Sequence, residues 1–161
     1  MEYKVIEGGG ITSPKGFTAG AVYVGVKSRK TQKPDVAVLY SETEASCAAV
    51  FTTNKFCAAP VILDREILKN GKARAIVINS GNANACAPKG RENAQRMAQA
   101  AAAATGLRPE AFAVCSTGII GVELNIQAIE KGVPSLVAAL ADTPQASLDA
   151  AHAILTTDLK V

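Results

Sequence analysis

Residues Ala73–Asn79, with the sequence Ala-Arg-Ala-Ile-Val-Ile-Asn, form a short apolar run that predicts a buried β-strand. An alanine-rich stretch over Glu92–Thr105 predicts a helix, and Gly106 after it can adopt the left-handed conformation that ends helices. A second apolar run then stops at residues 116–118, Ser-Thr-Gly. The order strand, helix, strand indicates an α/β fold with a segment of small residues at the end of each strand.

The segment Asn79–Cys86 alternates asparagines with tiny residues, a composition that suits neither a helix nor a strand. One interpretation is a turn whose backbone is satisfied by its own amide side chains. The other is a preorganised ligand or active-site loop at a strand end. The residues alone leave both interpretations open.

The segment Val114–Gly121, with the sequence Val-Cys-Ser-Thr-Gly-Ile-Ile-Gly, is the second candidate site. Small residues after a buried strand allow backbone N–H groups to face a ligand. These amides and the Thr117 hydroxyl are suited to hold an oxyanion formed during acyl transfer. The loop has no base and no strong nucleophile of its own, so we expect it to be half of an active site.

The rest of the chain predicts strands before this unit and helices around and after it. Alternating valines indicate a strand that pairs with the next one in a hairpin, across a charged turn over 27–34. Asp64 and Thr143 are expected to cap helices, and Gly132 is expected to separate two others. The predicted strands are 19–27, 35–40 and 45–51, and the predicted helices are 64–68, 126–131, 134–140 and 144–155.

Length and composition predict one globular domain over residues 1–161, with 48% hydrophobic residues and no low-complexity tract. The 17 basic and 14 acidic residues are scattered, so nucleic acid is not an expected partner. No apolar run reaches membrane length and no leader pattern opens the chain, which predicts a soluble cytoplasmic protein. The four cysteines match neither a zinc pattern nor a disulfide framework, and we expect reduced thiols and no metal site.

Conventional catalytic side chains are scarce in this sequence. His152 is the only histidine and lies in an apolar helix, so we expect a packed or edge residue instead of a base. Cys115 has no basic neighbour in sequence, which favours a buried structural thiol over a nucleophile. The glycine groups fall outside the frames that cradle phosphates. Asp158 adjoins a cluster of hydroxyls, where a helix-end turn and a ligand contact remain equally open.

Five motifs resemble the amino-terminal half of the ornithine acetyltransferase (glutamate N-acetyltransferase, ArgJ) family of arginine biosynthesis. The motifs follow the family's order and span nearly the whole chain, which makes chance a poor explanation. The matching residues are Gly9–Phe17, Val50–Asn54, Asn79–Cys86, Ser116–Gly121 and Ala153–Asp158.

The resemblance implies a fold of the DmpA/ArgJ type, a four-layer α/β/β/α sandwich with mixed sheets that a second chain completes. It implies a precursor that cuts itself before an internal threonine, so that this chain is the α part and the β chain carries the nucleophilic amino-terminal threonine. The implied reaction passes an acetyl group from N2-acetylornithine to glutamate without a cofactor, and some members also use acetyl-CoA. The resemblance also implies an α2β2 assembly.

Within this chain, the resemblance makes Thr117 and Gly118 the oxyanion-hole pair. It places a substrate-binding threonine at Thr156 or Thr157. The family's substrate lysine and its nucleophile have no counterpart here, and Lys160 should not be taken for that lysine.

The chain departs from the family after Cys86, where Ala87 and Pro88 replace the usual Thr-Gly pair.

Two other functions remain open. One is a related amino-terminal-nucleophile aminopeptidase or amidohydrolase, in which water replaces glutamate as the acceptor. The other is a non-catalytic module that binds a small amino acid.

Overall fold

The fold is a mixed β-sheet with helices on both faces. The computed structural model describes residues 3–27, 32–158 and 160–161. Within these residues the strands are β1 (Phe17–Val22), β2 (Val36–Ser46), β3 (Lys72–Asn82) and β4 (Phe112–Ile119). The α-helices are α1 (Ala59–Ile67), α2 (Gly90–Thr105), α3 (Ile126–Ala138) and α4 (Pro144–Ile154).

The strands of the sheet lie in the order β1-β2-β3-β4. β1 and β2 are antiparallel, as are β2 and β3, whereas β3 and β4 are parallel and are joined through α2. This mixed sheet with its helices confirms the predicted α/β class. The second sheet that would complete a four-layer sandwich remains a prediction.

One face of the sheet, here the core face, packs under α1, α2 and α3. Its strand residues are buried and, apart from Ala75, large, and successive strand side chains alternate between the two faces. The helices add Met97, Ile129 and Leu136, each of which is fully buried. The strand residues of the core face are Val36, Val38, Ala75, Val77, Phe112 and Val114.

The opposite face, here the α4 face, packs against α4, and its most buried residues have small side chains. Its buried cluster consists of Ala19, Ala37, Ala146, Ala150 and Ala153. Alanine contacts let the helix lie close to the sheet. The segment just before α4 is also bonded to β1, because Ala141 and Ala19 exchange two backbone hydrogen bonds of 3.0 Å.

Several predicted elements are confirmed. The predicted strand 73–79 is the middle of β3, and the predicted helix 92–105 is α2, with Gly106 left-handed after it. The hairpin of β1 with β2 is observed, although residues 28–31 of its expected charged turn lie outside the described residues. Thr143 caps α4 by accepting a hydrogen bond from the Ala146 N–H. No described helix is long and apolar enough to span a membrane.

The predicted break at Gly132 is wrong, because α3 runs unbroken from Ile126 to Ala138 with Pro134 inside it. Val133 and Leu136 are buried on the core face, and this packing outweighs the helix-breaking tendency of the two residues. Gly132 serves another purpose. A Cβ at this position would overlap the Val24 side chain, so the glycine allows the segment after β1 to pack closely against α3.

The predicted strands 19–27 and 45–51 are also wrong in their limits. β1 ends at Val22, because the next residues wrap around the carboxylate of Asp35 instead of pairing in the sheet. The chain over 45–51 is not a separate strand. Ala45 and Ser46 belong to β2, which continues past an irregularity after Tyr40.

The predicted role of Asp64 as a helix cap is wrong. Helix α1 already begins at Ala59, with Pro60 in its first turn, and Asp64 lies inside it. The Asp64 side chain is 7% exposed and accepts a hydrogen bond of 2.9 Å from the Val114 N–H of β4. Asp64 therefore joins α1 to the strand that leads to Thr117.

Candidate active site

The two segments predicted as loops are the paired ends of β3 and β4. Their parallel register aligns Asn79 with Ser116, Ser80 with Thr117, and Gly81 with Gly118. The interpretation of residues 79–82 and 116–119 as loops is therefore wrong, although both do lie at strand ends. Because the strands are parallel, their carboxyl ends meet at the same edge of the sheet.

Two glycines make this close pairing possible. Gly118 has a φ of +131°, and a Cβ on it would lie 2.7 Å from the Cα of Gly81. Gly81 has a φ of +101°, and a Cβ on it would lie 2.9 Å from the Cγ of Lys27. The backbones of β4, β3 and the Lys27 segment are thus stacked without intervening side chains, at positions where a larger residue would push them apart.

The asparagines at the end of β3 and just after it hold the backbone of this region. Asn79 donates to the Asn82 carbonyl at 2.9 Å, Asn82 donates to the Val122 carbonyl at 3.0 Å, and Asn84 donates to the Gly90 carbonyl at 2.8 Å. All three side chains are buried. The Asn79 bond stays within the segment and supports the turn interpretation, whereas the Asn82 and Asn84 bonds join the segment to its neighbours. The asparagines thus shape the site.

Thr117 lies on the α4 face, because side chains alternate along β4 and Ser116 points the other way to donate to Asn79 Oδ1 at 2.6 Å. Thr117 is half-buried and Gly118 is exposed. The peptide between them is therefore at an accessible edge of the sheet. Ser80, the cross-strand partner of Thr117, is fully buried on the same face beneath the end of α4.

The segment that carries Thr156 and Thr157 follows α4 directly. Both threonines are exposed. The helix end is fixed to the sheet by side chains that donate to the Ala153 carbonyl, one of which is Ser80 Oγ. A chain of contacts therefore runs from Thr117 through Ser80 to the helix end, three residues before Thr156.

A groove of about 600 Å³ opens on the α4 face next to this region. Its lining is mainly apolar and includes Ile11, Leu39, Ile78, Leu148 and Ile154. Neither Thr117 nor either of the paired threonines lines it. The groove is thus separate from the predicted site residues.

Asp64 and Cys115 are the titratable groups near β4 with shifted acidities. Burial raises the pKa of Asp64 to about 6, while the hydrogen bond from the Val114 N–H acts in the opposite direction. Partial burial and the charge of Asp64 raise the pKa of Cys115 to about 11. A thiol with such a pKa is protonated at neutral pH, which disfavours nucleophilic catalysis.

Cys115 is accessible to solvent, yet its thiol is partly surrounded by protein. The residue is exposed at the surface of β4, so the prediction of a buried cysteine is wrong. Its thiol is nevertheless partly desolvated by the surrounding protein, and this effect together with the charge of Asp64 raises its pKa.

Sequence reasoning missed two residues that organise the site. Asp35 is fully buried, and its carboxylate accepts hydrogen bonds from the N–H groups of residues 24 to 27 at 2.7 to 3.1 Å. Lys27 then reaches the end of α4. The only sequence signal was the charge of each residue beside a valine-rich strand, which is also typical of an ordinary surface turn.

A family comparison is consistent with this arrangement. A model described as the ArgJ family matches residues 18–161. The chain belongs to the ArgJ family. This confirms the resemblance drawn from the five sequence motifs.

The ArgJ relatives are much longer than this chain. The chain is 52% identical over 151 residues to the arginine biosynthesis bifunctional protein ArgJ of Caldanaerobacter subterraneus subsp. tengcongensis, covering 93% of this chain and 36% of the relative. It is 48% identical to the mitochondrial ArgJ protein of Aspergillus oryzae, covering 90% of this chain and 33% of the relative. The chain therefore spans about a third of the length of the curated relatives it matches.

Two solved ArgJ structures share the fold. One is the arginine biosynthesis bifunctional protein ArgJ of Bacillus halodurans, with a TM-score of 0.89 and 37% identity, covering 96% of this chain and 79% of that chain. The other is an ornithine acetyltransferase from Mycobacterium tuberculosis in complex with ornithine. It has the same TM-score and identity, and the match covers 96% of this chain and 82% of that chain.

Proposed function

We propose that this chain is the α part of a self-processed acetyltransferase that moves an acetyl group from N2-acetylornithine to glutamate. Membership of the ArgJ family supports this proposal, as does the ornithine bound to the Mycobacterium tuberculosis relative. The arrangement of Thr117 and Gly118 carries the proposal for this chain. They lie at an accessible strand end whose backbone geometry is imposed by the glycine pair.

The proposed chemistry needs a reactive hydroxyl from a companion β chain, since none of the residues near Thr117 forms a nucleophile with a base. The amino-terminal threonine of the β chain would attack the acetyl carbonyl carbon, and its own amine would take the hydroxyl proton. The C–N bond then breaks, the proton passes to the leaving amine, and ornithine departs. Glutamate attacks the acetyl-threonine ester through its amine, which regenerates the threonine hydroxyl.

In this scheme the Thr117 hydroxyl and the Gly118 amide stabilise the negative charge on the acetyl oxygen during both steps. Thr156 or Thr157 contacts the substrate. The described residues supply donors in a fixed framework, and the companion chain supplies the reactive group. An assembly of two α and two β chains in the cytoplasm completes the proposal.

The division of labour is tested by reconstitution. We expect the isolated 161-residue chain to transfer no acetyl group from N2-acetylornithine to glutamate, and the companion chain to restore transfer. Mass spectrometry of the assembled enzyme should show a second chain that begins with threonine and carries an acetyl group after incubation with donor alone. Acetyl transfer by the isolated chain would contradict the proposal.

The replacement Thr117→Ala tests the oxyanion role directly. We expect kcat of the assembled enzyme to fall by about 10²-fold or more, because one donor to the oxyanion is lost. Ser116→Ala is the matched control, since this neighbour points to the other face and bonds Asn79. The control should lose about 1–3 kcal/mol of stability while its folded form keeps nearly normal kcat. Equal kcat in Thr117→Ala and the wild type would remove Thr117 from the catalytic residues.

The products separate this reaction from its alternatives. Acetylglutamate indicates transfer, whereas ornithine with free acetate indicates a hydrolase. We also propose that acetyl-CoA serves as a second donor, on the ground that the relatives are called bifunctional. Acetylglutamate formed from acetyl-CoA and glutamate, without acetylornithine, is the expected result.

A further inference from the structure

Two side chains from different segments donate to one backbone carbonyl at the end of α4. Lys27 Nζ donates to the Ala153 oxygen at 3.0 Å, and Ser80 Oγ donates to the same oxygen. We propose that Lys27 and Ser80 are positioning residues that hold the segment 155–158, with its two threonines, against the Thr117 end of β4. This inference rests on the proposed function of that segment in substrate binding.

The Ala153 carbonyl is suited to such a role because it lies in the last turn of α4. The last four carbonyls of a helix have no partner within the helix, and the negative end of the helix dipole favours a cation there. Ala153 is only 1% exposed, so water cannot readily satisfy its oxygen. The ammonium of Lys27 and the hydroxyl of Ser80 satisfy it instead, and so fix the point at which the chain leaves the helix.

Lys27 is itself held in place from two sides. The Asp35 carboxylate accepts its backbone N–H at 2.9 Å, and Gly81 lies directly against its backbone. The Lys27 ammonium also donates to the Pro34 carbonyl at 3.2 Å. Burial lowers the pKa of Lys27, an effect that the charge of Asp35 opposes and that of Lys33 reinforces. Because the partly buried Lys27 ammonium also bonds the Pro34 carbonyl, it loses little further freedom when it bonds the helix end.

Ser80 connects this anchor to the oxyanion pair. Ser80 is the cross-strand partner of Thr117. Its side chain is fully buried under α4 and does not line the groove. Any movement of the Ala153 carbonyl relative to Ser80 would therefore change the separation between Thr117 and the segment 155–158. A displacement of about 1 Å can weaken a site strongly, even when it originates away from the reacting atoms.

The variants Lys27→Met and Ser80→Ala test the inference in the assembled enzyme. Each removes a donor to the Ala153 carbonyl and keeps most of the apolar packing. We expect KM for N2-acetylornithine to rise about tenfold in each, with kcat within about threefold, because ground-state binding is lost. Amide hydrogen exchange should accelerate in the segment 155–158 at Leu155, whose N–H donates to the His152 carbonyl at 3.3 Å. Since both side chains donate to one acceptor, the double variant should raise KM by less than the product of the single effects.

Thr12→Val is the matched control at the other end of the same helix. Thr12 Oγ1 donates to the Thr143 carbonyl at 3.0 Å, so this variant also removes one hydroxyl-to-carbonyl bond from the α4 region. We expect KM and the exchange of residues 155–158 to remain as in the wild type. If Thr12→Val changed them as much as the test variants do, a general loosening of α4 would explain the effect and the inference would be overturned.

Exchange separates failure of this inference from failure of the proposed function. If the assembled wild type transfers no acetyl group, the proposed function fails, and faster exchange at 155–158 in the test variants still supports the anchor. Wild-type exchange in Ser80→Ala overturns the anchor, as does a KM within about twofold of wild type in an active enzyme. If Lys27→Met does not fold, Ser80→Ala decides the matter.

Discussion

The two faces of the sheet are built on different principles. The core face buries Val, Phe, Met, Ile and Leu side chains under three helices, whereas the buried cluster of the α4 face has five alanines, two from the strands and three from α4 itself. Large buried side chains contribute most of the hydrophobic stabilisation, at about 1.5–3 kcal/mol each. Alanines contribute less but allow the helix to lie close to the sheet. The core face thus provides stability, while the α4 face sets distances between backbone groups.

This difference places the proposed chemistry on the face with the smaller side chains. Thr117 and Ser80 both lie there, and the end of α4 bonds directly to Ser80. A site that depends on closely packed backbones needs small residues such as glycine, alanine and serine. A larger side chain would separate the backbones and displace the hydrogen-bond donors that they carry. Substitutions on the two faces should therefore produce different kinds of damage.

The largest loss of stability is expected from Ile129→Ala on the core face. Ile129 is fully buried in α3, and truncating such a residue costs about 2–5 kcal/mol. Chemical denaturation should show this loss, while KM of the folded assembled enzyme stays unchanged. Ile154→Ala is the control, since Ile154 on α4 is 41% exposed and should cost less than about 1 kcal/mol. Similar losses from the two variants would contradict the assignment of stability to the core face.

Gly118→Ala should cost about 2–3 kcal/mol and also abolish most activity. The added Cβ would meet the Gly81 backbone, and φ at this position is one that alanine rarely adopts. Gly121→Ala isolates the contribution of φ. Gly121 has a φ of +79° but nothing near its Cβ position, so we expect a cost of only about 1 kcal/mol. Thermal and chemical denaturation of both variants would separate the cost of the close backbone contact from the cost of φ. Equal losses in the two variants would contradict a contribution from the contact.

Ala150→Val should cost about 1–2 kcal/mol, because it adds two methyl groups where α4 packs on alanines. The more informative result is kinetic. If α4 is pushed from the sheet, KM for N2-acetylornithine should rise several-fold. A variant that loses stability without any change in KM would show that the spacing on this face does not control the site.

The smallest effect is expected from Asp64→Asn, and it depends on pH. The pKa of Asp64 rises from 3.8 to about 6 in the folded protein, so the native state binds the proton more tightly than the unfolded state. The resulting stability is present below pH 4 and is lost as the pH rises through 6. The asparagine variant should thus be more stable than wild type at pH 8, by about 1 kcal/mol after allowance for solvent screening.

The Asp64→Asn advantage should shrink as the pH falls to about 4, which melting curves at several pH values can show. Asp142 is exposed near the start of α4 and provides the control. Asp142→Asn should change the melting temperature little at any of these pH values. An Asp64→Asn variant that is less stable than wild type at pH 8 would contradict the effect assigned to burial.

The elements that the sequence predicted correctly are those whose side-chain pattern agrees with their final packing. The apolar run around Val77 is a central strand, and the alanines before Gly106 form a helix that a left-handed residue ends. The capping role of Thr143 was also evident, because Thr-Pro at a helix start acts locally. Local signals sufficed wherever no distant contact competed with them.

The wrong predictions share a different origin. Ser116, Thr117 and Gly118 have turn chemistry, but pairing with β3 keeps them in a strand, and Gly132 looks like a break although it makes room for Val24. Asp64 has the side chain of a helix cap, and its actual partner, the Val114 amide, could not be predicted because it is 50 residues away. The anchor formed by Lys27 on Ala153 spans 126 residues, and no pattern in the sequence could indicate it.

The ties between β1 and the α4 region have a consequence for synthesis on the ribosome. Ala141 follows Ala19 by 122 residues, so the outer edge of β1 lacks this partner until those residues have been synthesised. At about 5–20 residues per second, that interval is on the order of 10 s. The elements from β2 to α3 can pack during this interval, and α4 then packs against β1. Ala153 follows Ala141 by a further 12 residues, so the core face can gain its stability before the end of α4 is anchored near the proposed substrate site.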